Sequence, residues 1–451
     1  MDVTLVPAQT TAPRPLVHVL ANLASLGVLA AGAPPFVFLV GTSLDGRRSS
    51  VLASFAIEAR VVTMLLVPAI VRGLPRLHRE LLVRRSRALA IAVSANALAL
   101  VVFAVPAAAP RFQPLLASSD IHVESVGPTM MAYGLGWLPS AERILVTHTH
   151  DPTARGYSIL DAASGAVVGQ APSPALSYTP PTTAPRRDLA IVPETITESG
   201  PPALTHFVNL ANGSEWNRPA NDVVVFRATY DPRIDRLYVL DKTNLRLFRM
   251  SPEEFLAGDF AKATTWDMDP ILSFEEVELD PGDVDRIFVR GDVSTRVATL
   301  DTTTGEMRFL RVALGVWDLS ADGRRHRLYA SRSYAGTLAV IDTESLRVVR
   351  DVWVGGVPRV VAYLPGVELV AVGLFTGARL VFLDPEDFSV KARIATCAQV
   401  RDAFFDAPSR ALYFSDACGV HRVRFGAAEA PARSTLSART PILGGNDEEK
   451  P

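Results

Sequence analysis

The stretch HRLYASRSYAGTLAVIDTESLRVVRDVWVGGVPRVVAYLPG, residues 326–366, decides how the rest of the chain is read. It holds three short runs rich in Val, Ile, Leu and Tyr (RLYAS, TLAVID, RVVRDVWV), and a fourth, RVVAYL, begins directly after a Gly-Gly-Val-Pro junction. Runs of this length bounded by Gly, Pro, Asp and Ser are strands joined by tight turns.

The same order recurs in both directions. LPSAERILVT, APRRDLAIVP, DPRIDRLYVL, DPGDVDRIFV, ADGRRHRLYA, LPGVELVAVG and DAPSRALYFS each join a turn rich in Pro, Asp or Gly to a strand, and these strands begin near Ile144, Leu189, Leu237, Ile287, Leu328, Leu369 and Leu412. Successive steps are 45, 48, 50, 41, 41 and 43 residues, which makes seven units. A second strand follows, clearest in YSILD, RVATLD, TLAVID and ARLVFLD, then a third, as in RVVRDVWVGG. Four strands per unit of about 40–50 residues is the pattern of a β-propeller blade, and seven blades close a ring without any helix. A β-sandwich also has many short strands, but nothing in it repeats one order seven times. The last unit supplies only three strands, ending ALYFSDACGVHRVRF. The missing outer one is offered by IHVESVGPTMMAYGLGWLP, residues 121–139, which has the same outer-strand, Gly-Pro, inner-strand order as DVWVGGVPRVVAYLP. Residues 121–126 are therefore expected to clasp the seventh blade. The fold class expected is all-β, a seven-bladed propeller over residues 120–426, followed by a polar, disordered tail at 427–451.

The opening stretch also resembles the YVTN-type β-propeller repeat, through Ala339-Val340-Ile341-Asp342-Thr343, Val348-Val349, Val354-Gly355 and Pro358. The next unit and ATLDTTTGEM, residues 298–307, match that pattern in part, and the others only in hydrophobic outline. The resemblance implies the seven-bladed architecture. It implies little about activity, because the repeat serves sugar-lactone enzymes, surface-layer proteins and binding scaffolds alike.

Before the repeat lies a different polymer. Residues 16–44 and 88–110 carry no charge, and each run exceeds the ~20 residues needed to cross a bilayer as helix. Residues 51–71 are long and apolar enough for a third span but contain Glu58 and Arg60. The sequence thus points to a helical membrane region at 1–110 with two to three transmembrane helices, near 16–41, 51–71 and 88–109. Whether 51–71 crosses fully, and whether Glu58 and Arg60 form a polar site or meet headgroups and water, stays open. The linker RGLPRLHRELLVRRSR, residues 72–87, packs six Arg directly before the last span. The positive-inside rule puts it in the cytoplasm and the propeller on the extracytoplasmic side of an inner or plasma membrane.

Composition excludes several functions. Net charge is −2, so no global field favours nucleic acid. Of 45 basic residues only Lys242, Lys262, Lys391 and Lys450 are lysines, a bias that makes any single Arg weak evidence of design. Two cysteines, Cys397 and Cys418, exclude a site of four thiolates. They fall in two loop types that share a face of one blade, so either a disulfide or two buried thiols fits, and an extracytoplasmic compartment favours the bond. No nucleophile elbow, zinc-protease helix, P-loop or dinucleotide fingerprint occurs, and no cofactor is implied.

His148-Thr149-His150-Asp151 tempts a metal reading, because imidazoles at i and i+2 share one face of a strand. The residues that follow are Pro152 and Thr153 rather than a second Asp-His pair, and His206 is the single candidate third ligand, so no metal site is expected. In the repeat these histidines fall in a turn. The paired acids Glu275-Glu276 and Glu253-Glu254 read as solvated, and Trp137, Trp317 and Trp353 fall where blade packing accounts for them. Catalytic residues stay unknown. A ligand- or protein-binding scaffold is the leading expectation, its contacts coming from the turns between second and third strands: His150, Asp151, Lys242, Asn244, Arg332, Tyr334 and Phe375. The expected partners are the lipid bilayer and a protein or small-molecule ligand on one propeller face. The competing reading is a lactonase or other hydrolase of the same fold, working in the central funnel and marked by acids, His and Arg converging at one mouth.

Overall fold

The computed structural model describes residues 114–426 apart from 119, 129–131, 140–141, 149–155, 172–179, 194–203, 210–214, 220–222, 242–243, 269–273, 292–294, 313–314, 334 and 398. The expected spans near 16–41, 51–71 and 88–109 and the tail at 427–451 lie outside the described residues. Among the described residues no helix is long and apolar enough to cross a membrane.

Strand β1 (Ile121–Val126) precedes the ring. The first blade is β2 (Ala132–Leu138), β3 (Arg143–His148), β4 (Gly156–Asp161) and β5 (Val167–Ala171). The second is β6 (Thr182–Ala184), β7 (Leu189–Pro193), β8 (Leu204–Asn209) and β9 (Glu215–Pro219). The third is β10 (Val225–Asp231), β11 (Arg236–Asp241), β12 (Arg246–Met250) and β13 (Thr264–Asp267). The fourth is β14 (Phe274–Leu279), β15 (Arg286–Gly291), β16 (Arg296–Asp301) and β17 (Met307–Arg311). The fifth is β18 (Val316–Asp322), β19 (Arg327–Arg332), β20 (Thr337–Asp342) and β21 (Arg347–Trp353). The sixth is β22 (Pro358–Leu364), β23 (Leu369–Leu374), β24 (Arg379–Leu383) and β25 (Val390–Ala395). The seventh is β26 (Asp402–Asp406), β27 (Ala411–Asp416) and β28 (Gly419–Phe425). Each blade is one four-stranded antiparallel sheet in chain order, except that β1 completes the seventh by pairing with β28 from Ile121↔Phe425 to Val126↔Val420.

The second strand of each blade is buried from both sides by neighbouring blades. It therefore reads as a continuous apolar run, as at Ile144-Leu145-Val146, Leu237 to Leu240 and Ile287 to Val289, all fully or nearly fully buried. The repeated turn before it has a backbone cause. Glu142, Asp188, Asp235, His326, Glu368 and Arg410, each the residue just before such a strand, adopt left-handed φ of 47–58°. Polar residues tolerate that geometry better than β-branched ones.

Two features break the regularity. A short helix, α1 (Pro252–Ala257), lies between β12 and β13, so the ring is not free of helix as the sequence suggests. Ser251 and Glu254 form a reciprocal capping box that starts it, and Phe255 is buried against Phe207 and Phe260. Glu254 is thus a cap rather than a merely solvated acid, and Glu253 meets Arg187 at 2.7 Å. The innermost strand of blade two has only three residues, and the Pro180-Pro181 backbone before it presses on β2. A Cβ on Gly134 would lie 2.5 Å from the Pro180 Cα.

Side chains of the innermost strands also bond to the backbone of the next blade around the ring. Thr182 Oγ1 donates to the Ala228 carbonyl, Thr229 Oγ1 to Val277 O at 3.0 Å, and Glu278 Oε1 accepts from Ala321 N at 2.9 Å. Asp318 Oδ2 accepts from Val361 N at 2.8 Å, and Asp402 Oδ2 from Leu135 N at 2.6 Å, the last across the closure.

Candidate functional site

The innermost strands begin on the face that also carries the turns between second and third strands: in register Ala132 pairs with His148, Pro358 with Leu374 and Asp402 with Ser415. We call this the entry face. Six of the seven innermost segments share one length, counted back from a residue at the far end: Ala132 to Leu138, Val225 to Asp231, Phe274 to Asp280, Val316 to Asp322, Pro358 to Leu364 and Val400 to Asp406. Their second positions are Tyr133, Phe226, Glu275, Trp317, Arg359 and Arg401, and their third include Arg227, Glu276, Asp318 and Asp402. The mouth of the central channel is built from these two rows.

One half of the mouth is a closed ionic network. Glu276 accepts from Arg227 Nη2 and from Arg290 Nε, both at 2.5 Å, and Glu275 lies 3.9 Å from Arg290. The Glu276 and Arg290 side chains are each only 6% exposed. Glu276 is therefore not the solvated acid its sequence suggests.

The other half is cationic and aromatic. The Arg359 guanidinium lies 4.1 Å from the Trp317 ring centre, 5.1 Å from Phe375 and 5.8 Å from Tyr133, and its Nη2 donates to the Tyr133 hydroxyl at 2.9 Å. These rings belong to blades five, six and one, so the side chain reaches across the channel. Arg401 flanks the same Tyr133 and Phe375 at 4.6 and 5.5 Å and donates to Gln399 Oε1. Guanidinium–ring contacts contribute roughly 0.5–2 kcal/mol each, more where water is excluded. Among the described residues no carboxylate pairs with Arg359. Trp317, expected to be a packing residue, is instead part of this wall. Its indole N–H is buried and has no acceptor among the described residues. Trp137 does pack, stacked on Phe404 and Tyr413, whereas Trp353 is 54% exposed on the outermost strand.

Three carboxyls of the innermost strands are shifted by burial. Burial pushes Glu278 up to about 8 and Asp402 up to about 6, and raises Asp318 well above the usual carboxylate range, with the Glu276 charge adding to the burial effect on Asp318.

Of the turn residues expected to bind, Phe375 joins the cationic half. Arg332 does not, because its side chain turns outward to Asp351 on β21. Asn244 serves its own turn, donating from Nδ2 to Asp241 Oδ2 at 2.7 Å. His150, Asp151, Lys242 and Tyr334 lie outside the described residues. His148 is the last residue of β3 rather than part of the turn, and is buried with Nε2 2.8 Å from Ser158 Oγ. His206 sits on β8 in register with Val192 and Asn217.

Cys397 and Cys418 form a disulfide, with Cα atoms 5.9 Å apart. The buried Asp416 carboxylate accepts from both of their backbone N–H groups, at 2.9 and 2.8 Å, and lies 3.0 Å from His421 Nε2. With the sulfurs joined, the Cys397–Asp416–Cys418 group offers no thiolate to a metal ion.

The opposite face shows what the same residue types look like when they serve the fold. Arg325 bonds Asp322, Glu368, Glu386 and Tyr363, and Arg233 grips Asp231 while reaching the Asp280 carbonyl of the next blade. Unlike Arg325 and Arg233, Arg359 is held by rings, and among the described residues no carboxylate pairs with it.

The fold and its channel define a seven-bladed β-propeller. Among solved structures it is similar to a streptogramin B lyase, at 12% identity and TM-score 0.52 over 68% of this chain and 98% of that one. It is also similar to selenomethionine-substituted virginiamycin B lyase from Staphylococcus aureus, at 12% identity and TM-score 0.53 over 68% of this chain and 100% of that one. At such identity the likeness carries the architecture alone. No family model matches the chain, and no curated protein does.

Proposed function

We propose that the protein is a membrane-anchored, extracytoplasmic propeller of the YVTN-repeat kind that binds a small-molecule ligand or partner protein at the mouth of its entry face. The observation that carries the binding reading is Arg359, held across the channel by Trp317, Phe375 and Tyr133 and left without a carboxylate partner among the described residues. The nearby acids are already engaged: Glu276 by two arginines, Asp318 and Asp402 by backbone N–H groups. The anchor and its orientation rest on the uncharged runs at 16–44 and 88–110 and the six-Arg linker between them.

A catalytic reading draws support from Asp318 and Asp402, acids whose pKa burial raises, and from structural neighbours that are lyases. One experiment separates the two. The full chain, solubilised from membranes, is used to capture partners and small molecules, in parallel with Phe375→Ala and Asp402→Asn. Binding predicts that Phe375→Ala loses the captured species and Asp402→Asn retains it intact. Turnover of the species by wild type but not by Asp402→Asn would replace this reading with the enzyme. The anchor is tested separately by a reporter fused after Arg111, which should be active only outside the cytoplasm.

A further inference from the structure

The geometry points to the chemical class of the ligand: the entry-face mouth takes the carboxylate or phosphate group of a molecule with a flat apolar body. The inference rests on the mouth being the binding site and goes further by saying what fills it. Three features of the mouth converge on an oxyanion.

The first is the state of the arginine. A guanidinium has five N–H donors in one plane, and its two faces are apolar enough to stack on rings. In Arg359 the rings of Trp317, Phe375 and Tyr133 surround the group, and one donor is spent on the Tyr133 hydroxyl. The other in-plane donors meet no acceptor among the described residues. A fork of that shape matches the two oxygens of a carboxylate or phosphate, and the surrounding rings hold it in one orientation before the ligand arrives.

The second is the neighbourhood. Arg401 flanks the Tyr133 and Phe375 rings as well and donates to the Gln399 amide oxygen, which adds positive charge to this side of the mouth. In the other half of the same mouth two arginines hold Glu276 between them. Among the described residues no carboxylate holds Arg359 in that way. A ligand oxyanion would take that place.

The third is Trp317. Its ring stacks on the guanidinium at 4.1 Å, and its buried indole N–H lacks an acceptor among the described residues. A buried donor left unsatisfied is costly, and a ligand oxygen beside Arg359 would satisfy it. The apolar body follows from the walls, since Tyr133, Phe375 and Trp317 offer ring surface to whatever carries the charge.

The test uses the full chain in detergent, with binding read by calorimetry and by tryptophan fluorescence. Four compounds separate the contributions: benzoate, phenyl phosphate, acetate and benzamide. Benzoate or phenyl phosphate should bind at least tenfold more tightly than acetate, which lacks the ring, and than benzamide, which lacks the charge; whichever of the first two binds better names the oxyanion. Arg359→Gln should remove the binding. Arg359→Lys, which keeps the charge but not the fork, should weaken it at least tenfold, and Trp317→Phe, which keeps the stack but not the N–H, severalfold. If Arg359→Gln fails to fold, the Arg359→Lys and Trp317→Phe results decide the matter. Benzamide binding as tightly as benzoate, Arg359→Lys indistinguishable from wild type, or no binding of either aromatic anion at millimolar concentration would each overturn the inference. Partner capture that depends on Phe375 would stand in all of those cases, so failure here is distinguishable from failure of the binding reading.

Discussion

Replacing Glu276 by Gln tests whether the mouth is held by charge. The carboxylate receives Arg227 and Arg290 at 2.5 Å each, and Glu276 and Arg290 are almost out of water. Gln keeps the volume, so no cavity opens, but two guanidiniums then face each other with Glu275, 3.9 Å from one of them, as the remaining acid. Breaking a buried pair by removing one partner costs about 3–5 kcal/mol, most of it the penalty of the stranded charge. With a urea slope near 3 kcal/mol per molar, that lowers the midpoint by about 1–1.7 M. A double-mutant cycle makes the cause explicit. Glu276→Gln with Arg290→Gln restores neutrality, so the double variant should be more stable than the sum of the single losses predicts, by roughly 1–3 kcal/mol. A second readout is electrostatic: Glu276 helps to push Asp318 up, so in Glu276→Gln the Asp318 carboxyl should titrate at lower pH. The assay is urea unfolding of the full chain in mild detergent, followed by tryptophan fluorescence. A loss below about 1 kcal/mol with additive single effects would refute the reasoning and mean that water already screens the cluster.

Other outcomes follow from the same geometry. Deleting residues 121–126 strips the partner from all six paired positions of β28 and leaves an open strand edge, so the variant should lose stability and self-associate on gel filtration; an unchanged monomer with a wild-type melt would rule out the clasp. Cys397 and Cys418 are 21 residues apart, and opening that loop by Cys418→Ser should cost about 3 kcal/mol under non-reducing conditions, whereas two titratable thiols in wild type purified without reductant would exclude the bond. Glu278 has a folded-state pKa near 8 against an ordinary 4.5, so it favours the folded state fully below pH 4.5 and that contribution is lost as pH rises through about 8. Glu278→Gln should flatten stability between those values, and an unchanged pH profile would contradict the burial of the carboxyl.

The architecture was legible in the sequence because it repeats. Each second strand is buried between two neighbouring blades, so its apolar run is continuous, and six of the seven are preceded by a turn whose left-handed residue favours Asp, Glu or another polar side chain. Both signals are local and recur around the ring, which let the blades be counted and the closing strand Ile121–Val126 be assigned to the far end of the chain. The site was not legible in the same way. Asn244 and Arg332 lie in the expected turns but spend their side chains on Asp241 and on Asp351, because a turn residue's position fixes its face and not its direction. Arg359, Arg401, Trp317 and Tyr133 come from blades six, seven, five and one, and their sole mark in the sequence is a shared place at the start of the innermost strand. In a chain where nearly every basic residue is Arg, that mark carries little weight until the ring closes. Closure brings side chains more than 200 residues apart within a hydrogen bond, as from Arg359 to Tyr133. The local chain fixes strands and turns through backbone geometry and burial. Which guanidinium finds a carboxylate and which finds only rings depends on distances across the channel, and the tertiary structure alone sets those.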